Sequence, residues 1–257
     1  MDVDQHVAAL ERDGALLADA TATAGLLAPV PACPAWLVRD LVRHQAYVHA
    51  WAARHIAERP ATVISGADEA SILAAGPPDG ELLGAYQAGL AALVRVLRSA
   101  DPALECATFL PAPSPLAFWA RRQAHETAVH RYDGQAAGGT ADPIGAFDPG
   151  FAADGIDELI MGFAARRKRT GPGVTLLVRT LDSRHAWHYS WPADGRRQAR
   201  PCDPAAPPPA DCVLAGPASG LYLFLWNRCG ADEAHATVTG DPSVLRAWNS
   251  GVHVRWG

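Results

Sequence analysis

Apolar positions in the first half of the chain recur at helical spacing. Val3, Val7, Leu10, Leu16 and Leu17 stand among polar residues, which predicts an amphipathic helix over about residues 3–27. Leu37, Leu41, His44, Val48 and Trp51 follow one another by four, three, four and three. That stripe predicts a second helix from about Pro34 to Glu58, with Pro34 suited to its first turn. Pro77-Pro78-Asp79-Gly80 breaks the chain, and a third helix is expected from about Glu81 to Arg98, ended by Asp101-Pro102. Beyond a loop rich in proline, a fourth runs from about Pro115 to Ala137 and stops at Gly138-Gly139. Four helices joined by loops of moderate length predict a helical bundle.

The second half changes character. One more helix is expected at about residues 151–168. Val174–Leu181 and Ala186–Trp191 read as strands around a turn at Asp182-Ser183. Arg200–Ala210 is rich in proline and reads as a loop. Asp211–Ala215 reads as a strand, Pro217–Arg228 as a helix, Ala236–Thr239 as a strand, Pro242–Trp248 as a helix and His253–Trp256 as a last strand. The expected fold class is α+β: a four-helix bundle over residues 1–145, then a small α+β domain over residues 146–257. The boundary falls near Asp142–Pro149.

Composition narrows the function classes. With 49% hydrophobic and 19% charged residues among 257, the chain carries enough apolar material for real cores. A net charge of -5 argues against a nucleic-acid partner. The one basic block, Arg166-Arg167-Lys168-Arg169, reads as a helix C-terminus complementing its dipole. The five cysteines are Cys33, Cys106, Cys202, Cys212 and Cys229; they are odd in number and form no C-x-x-C pair. Free thiols in a reducing cytoplasm are expected, not a disulfide framework. The opening Met-Asp-Val-Asp-Gln-His lacks a signal-peptide pattern. The most continuous apolar run, Leu221–Trp226, is too short to span a membrane.

The chemistry concentrates in Ala124-His-Glu-Thr-Ala-Val-His-Arg-Tyr-Asp133. Glu126 and His130, four apart, stack on one helical face. A carboxylate and an imidazole so placed can be two ligands of a divalent metal, and His44, within the apolar stripe of the second helix, is the best third. His49 falls roughly 140° from His44 around the helix, and His55 lies near its end. A core histidine bonded to a neighbour is the competing reading of His44. On the fourth helix, Trp119, Gln123, Glu126, His130 and Asp133 descend one face beside a strip of Ala120, Ala124 and Ala128. A solvated polar face is the competing reading there; a buried carboxylate costs several kcal/mol unless paired or metal-bound. His125 is five residues from His130 and turned about 140° away, so this is not the H-E-x-x-H of metalloproteases. Two histidines and a carboxylate leave positions open on a metal, which suits chemistry better than structure.

Two N-terminal stretches, Cys33-Pro-Ala-Trp-Leu-Val-Arg-Asp-Leu-Val-Arg-His44 and His125-Glu-Thr-Ala-Val-His-Arg-Tyr-Asp133, together resemble the mycothiol-dependent maleylpyruvate isomerase family of DinB-like actinobacterial metalloenzymes. Leu214-Ala-Gly-Pro-Ala-Ser-Gly-Leu-Tyr-Leu-Phe-Leu-Trp-Asn-Arg228, with Thr239-Gly-Asp-Pro242, resembles its sterol-carrier-like C-terminal domain. The resemblance implies zinc, or another divalent metal, on His44, Glu126 and His130. It also implies mycothiol as thiol cosubstrate and Arg228 as a residue binding thiol or substrate. Gln45 in place of leucine, Ala35-Trp36-Leu37 in place of Gly-Trp-Thr, and Asn227 in place of glycine depart from the pattern. The expected activity is attack of a metal-bound thiolate on a small electrophile, as an isomerase or S-transferase, with Asp133 or His125 behind the ligands or in catalysis. A thiol-independent Lewis-acid enzyme and a non-catalytic metal- or ligand-binding protein are the alternatives. A monomer with no nucleic-acid or membrane partner is expected.

Overall fold

The computed structural model describes residues 1–74, 76–166 and 171–252. The expected strand at His253–Trp256 and residues 167–169 of the basic run lie outside the described residues. The chain divides into two compact units, Met1–Ala141 and Asp142–Gly257.

The first unit is helical: α1 (Val3–Ala24), α2 (Val38–Glu58), α3 (Ala67–Ala74), α4 (Asp79–Ser99) and α5 (Pro115–Ala137). Helices α1, α2, α4 and α5 make the expected bundle. A reciprocal cap starts α1: Asp2 Oδ1 accepts from the Gln5 N–H at 2.8 Å, and Gln5 Oε1 from the Asp2 N–H at 2.9 Å. Gly25, with φ 78°, ends it three residues earlier than the apolar pattern suggested. Helix α2 begins at Val38, not Pro34. The proline sits in a turn closed by Cys33 N–H to Val30 O (3.0 Å) and Trp36 N–H to Cys33 O (2.8 Å), and Asp40 Oδ2 caps the Leu37 N–H at 2.9 Å. The short helix α3 was not expected; it presents Asp68 and Glu69 and lacks a long apolar stripe.

Helix α5 runs as expected from a cap at Ser114, whose Oγ accepts from the Ala117 N–H at 3.1 Å, with Pro115 in the first turn. It is buried nearly all round from Leu116 to Gly134, polar residues included. Small residues allow this: Ala120, Ala124 and Ala128 have no exposed surface, and a Cβ at Gly134 would press on Leu17 of α1 at 2.9 Å. An internal ion pair joins the same helices. Arg131 Nε donates to Asp13 Oδ1 at 3.0 Å, and Arg131 Nη1 to Gln135 Oε1 at 2.7 Å.

The second unit starts with α6 (Pro149–Asp157), which continues as a π-helix over Glu158–Ala164. Strands β1 (Val174–Thr180), β2 (Ala186–Trp191), β3 (Gln198–Pro201), β4 (Cys212–Gly216) and β5 (Thr237–Gly240) form one mixed sheet in the order β3-β2-β1-β4-β5. Only β1 and β4 pair in parallel. Helices α7 (Ala218–Leu225) and α8 (Ser243–Gly251) complete the unit. Strand β3 was not expected, and its last two residues, Arg200 and Pro201, take the start of the stretch read as a loop. It is an exposed edge strand ending in proline, so no alternating apolar pattern marks it. Buried Trp187 ties the sheet to α6 by donating to Asp157 Oδ1 at 2.8 Å, and Trp248 of α8 donates to Leu225 O of α7 at 3.1 Å. Gly220 of α7 packs on the backbone of Ala234, whose carbonyl a Cβ there would overlap.

The buried pair gives the first prediction. Arg131→Met leaves Asp13 inside the bundle with only its solvent-facing partner Arg12. A loss of about 3 kcal/mol or more is expected, read as a lower denaturant midpoint at unchanged slope.

Candidate metal centre

Glu126, on the fully enclosed α5, is only 3% exposed. Its two oxygens face different groups. Oε1 lies 3.1 Å from His44 Nε2 and 3.3 Å from His130 Nε2, while Oε2 accepts from Arg122 Nη2 at 3.0 Å. The ligand-type atoms of His44, Glu126 and His130 all lie within 4.8 Å of one another. Two donors about 2.1 Å from one metal at a tetrahedral angle stand roughly 3.4 Å apart. The observed spacings are therefore close to those of a coordination sphere. The solvated-face reading of α5 does not hold; His44 is bonded to a neighbour, Glu126, as the core-histidine reading also requires, and stands with two further ligand-type groups.

The groups behind these three suit a metal. His130 Nδ1 donates to Asp133 Oδ2 at 2.8 Å. That bond makes Nδ1 the donor to Asp133 and turns Nε2 toward Glu126 and His44. Burial alone would raise the Glu126 carboxyl, but the bonds to His130 and His44 and the charge of Arg122 hold it well below the usual carboxylate range. Burial lowers His44, offset in part by Glu126. Burial would lower His130 too, yet its bonds to Asp133 and Glu126 raise it. In the metal-free protein the carboxylate thus stays ionised and draws charge onto His130. A dication would replace that proton.

The Cys33–Trp36 turn has a local purpose. It sets the Trp36 indole against both imidazoles, with ring centroids 5.1 Å from His44 and 6.1 Å from His130. His125 is buried on the same helix but packs edge-on against His6 of α1, centroids 5.9 Å apart, in a group separate from the three ligands. His49 and His55 are also buried. His55 is satisfied by Trp51 O at 2.8 Å and the Ile64 N–H at 3.0 Å.

His49 belongs to a polar seam. Its Nε2 meets Thr127 Oγ1 at 2.8 Å, and that hydroxyl donates to Gln45 Oε1 at 3.2 Å. Gln45 Nε2, His49 Nδ1 and, one turn along α5, Gln123 Oε1 are buried without a partner. Gln45, which departs from the family pattern, is buried in this seam. Arg122 and the seam were missed from sequence. Arg122 had a legible signal, since it lies four residues before Glu126 on the same helix.

In the second unit, α7 ends at Leu225, so Arg228 lies past the helix, not within it. Asn227 takes the left-handed conformation, φ 61°. Its N–H reaches Phe224 O at 2.9 Å, and the Arg228 N–H reaches Leu223 O at 2.8 Å. This is the Schellman closure, which explains why asparagine serves where glycine is common. Arg228 is half-buried, and its Nη1 donates to Trp226 O at 2.7 Å.

Residues 7–134 match the family described as mycothiol maleylpyruvate isomerase N-terminal domain, and residues 150–247 match the MDMPI C-terminal domain. The chain belongs to the mycothiol-dependent maleylpyruvate isomerase family. Among solved structures it is similar to that of the mycothiol-dependent maleylpyruvate isomerase, at 14% identity and TM-score 0.66, with 93% of each chain covered. It is also similar to a histidine-to-alanine mutant of that isomerase, at 13% identity, TM-score 0.67 and the same coverage. These likenesses establish the shared fold. No curated protein matches the sequence. Family and fold together support an isomerase-like enzyme.

Two predictions follow from the geometry. His44→Ala and His130→Ala should abolish tight metal retention, whereas His49→Ala and His55→Ala should keep it. Asp133→Asn should weaken metal affinity about 10–100-fold; plasma emission analysis and chelator competition measure both. The second concerns pH. Burial pushes His49 down from 6.5 to about 3, so below pH ~6.5 the unfolded chain takes up a proton that the folded chain refuses. Its contribution to stability is present above pH ~6.5 and is lost on acidification toward pH 3, by up to about 1.4 kcal/mol per unit. His49→Leu should flatten this part of the stability profile of metal-free protein, measured by urea unfolding.

Proposed function

We propose that the chain is a metal-dependent enzyme that uses mycothiol as thiol cosubstrate and acts on a small electrophile, as an isomerase or S-transferase. The observation that carries this is the convergence of His44 Nε2, Glu126 Oε1 and His130 Nε2 with Asp133 and Arg122 behind them. The donor set suits zinc, with room for a thiol at an open position. A divalent metal held there supplies Lewis acidity, which brings a thiol of free pKa about 8.5 to its thiolate at neutral pH.

The chain's own residues prepare that site. Asp133 orients His130, and Arg122 occupies the carboxylate oxygen turned away from the imidazoles. Trp36 covers one side of the imidazole pair and limits access of water. Of Asp133 and His125, the geometry supports Asp133 as the outer partner; His125 serves the packing of α1 on α5. Arg228 is assigned an anionic group of the thiol or substrate, its position set by the Asn227 turn. A monomer in a reducing cytoplasm suits an enzyme that uses a free thiol.

The test is titration of mycothiol into cobalt-substituted protein, paired with turnover assays with and without the thiol. Thiolate ligation should bring a charge-transfer band, and turnover should require the thiol. Arg228→Ala should weaken thiol or substrate binding about 10–100-fold while leaving metal content unchanged. No spectral change at saturating thiol, together with full activity in its absence, selects the Lewis-acid alternative.

A further inference from the structure

The second unit holds a cation that the proposed chemistry does not use. One step beyond the last paired residues of β2 and β3, Ser190 and Gln198, the same antiparallel register sets Arg197 opposite Trp191. The Arg197 guanidinium lies over the indole, 4.1 Å from the ring centroid. The residue is only 4% exposed, and Trp191 8%. Arg197 Nε and Nη1 are buried with no hydrogen-bond partner, and so is the neighbouring Trp191 Nε1. Among the described residues no ion pair involves Arg197, and Asp194 in the intervening loop is exposed.

An always-charged group enclosed this way loses hydration that an aromatic face restores only in part. Three donors without acceptors at one place call for an acceptor from outside. We propose that Arg197 and Trp191 form an oxyanion site on the β2–β3 hairpin, which takes a carboxylate or a phosphate. Nη2 completes a two-pronged donor edge with either of the unpartnered nitrogens, the geometry that matches two oxygens of one such group. Size narrows the ligand further. The apolar crevice beneath Trp191, lined by Val174, Leu176, Tyr189, Val244 and Trp248, is closed even to a water-sized sphere. That crevice leaves no room for an apolar tail, so the ligand is limited to what the guanidinium edge itself can hold. It stands independently of the metal centre and of the thiol reading.

Arginine Nε–H resonances of the full-length protein, titrated with acetate and with inorganic phosphate against chloride at equal ionic strength, test this. One arginine signal should shift saturably with an oxyanion and not with chloride. In Arg197→Gln that signal and its response should vanish. In Arg197→Lys, which keeps the charge but not the planar fork, the Trp191 indole Nε1–H resonance should report binding weakened about tenfold or more; this variant decides the matter if the glutamine variant does not fold. Tighter saturation by acetate assigns a carboxylate ligand, and tighter saturation by phosphate a phosphate. The proposal is overturned if neither anion gives a saturable shift, if the response survives in the variants, or if a crystal structure places a carboxylate of this same chain on Arg197.

Discussion

A carboxylate enclosed in a helical bundle is the constraint on which the N-terminal unit depends. Left alone, Glu126 would cost several kcal/mol to bury as an anion. Every oxygen lone pair directed inward must therefore find a cation or a donor. Arg122, His44 and His130 supply them from two helices, and Asp133 in turn steadies His130. Alanine and glycine let α5 carry this polar load through the centre of the bundle, because its neighbours approach closely enough to exclude water. The same enclosure that makes the charge expensive makes it hold its partners in one geometry.

That balance places helix–helix packing and site chemistry on the same residues. The Asp13–Arg131 pair fastens α1 to α5 at the residue next to His130, and the seam of Gln45, Thr127 and His49 fastens α2 to α5 on another side. Neither touches the ligand atoms directly. Both limit sliding or rotation of α5, which would separate His44 from Glu126.

Much of this was legible in the sequence, for identifiable reasons. Helix α5 announces both ends, with Ser114-Pro115 before it and Gly138-Gly139 after it, and its Glu-x-x-x-His spacing is fixed by helical geometry. The His44 stripe works in the same way, since a wheel resolves which face looks inward. What failed was information held between elements. Pro34 has the chemistry of a helix start, but a turn closed by tertiary bridging between Pro29 and Leu37 claims it. Strand β3 borrows its order from β2. His49, about 140° from His44 around the helix, is nevertheless buried, because Tyr86 of α4 stacks on it, centroids 5.5 Å apart. Asn227 looked like a departure from a family pattern and is the left-handed residue the turn needs.

The turn that carries Trp36 is held by bonds among its own backbone groups, Val30 to Trp36 and Cys33 to Trp36. The ligands, by contrast, are held by the bundle. The turn thus has bonds of its own although Trp36 and Cys33 also pack on the bundle core. Substitutions in the short loop can reshape what the metal face admits while the three donor atoms stay in register. Changes in the loop therefore cost the helices little, so the face beside the imidazoles can vary while the bundle stays the same.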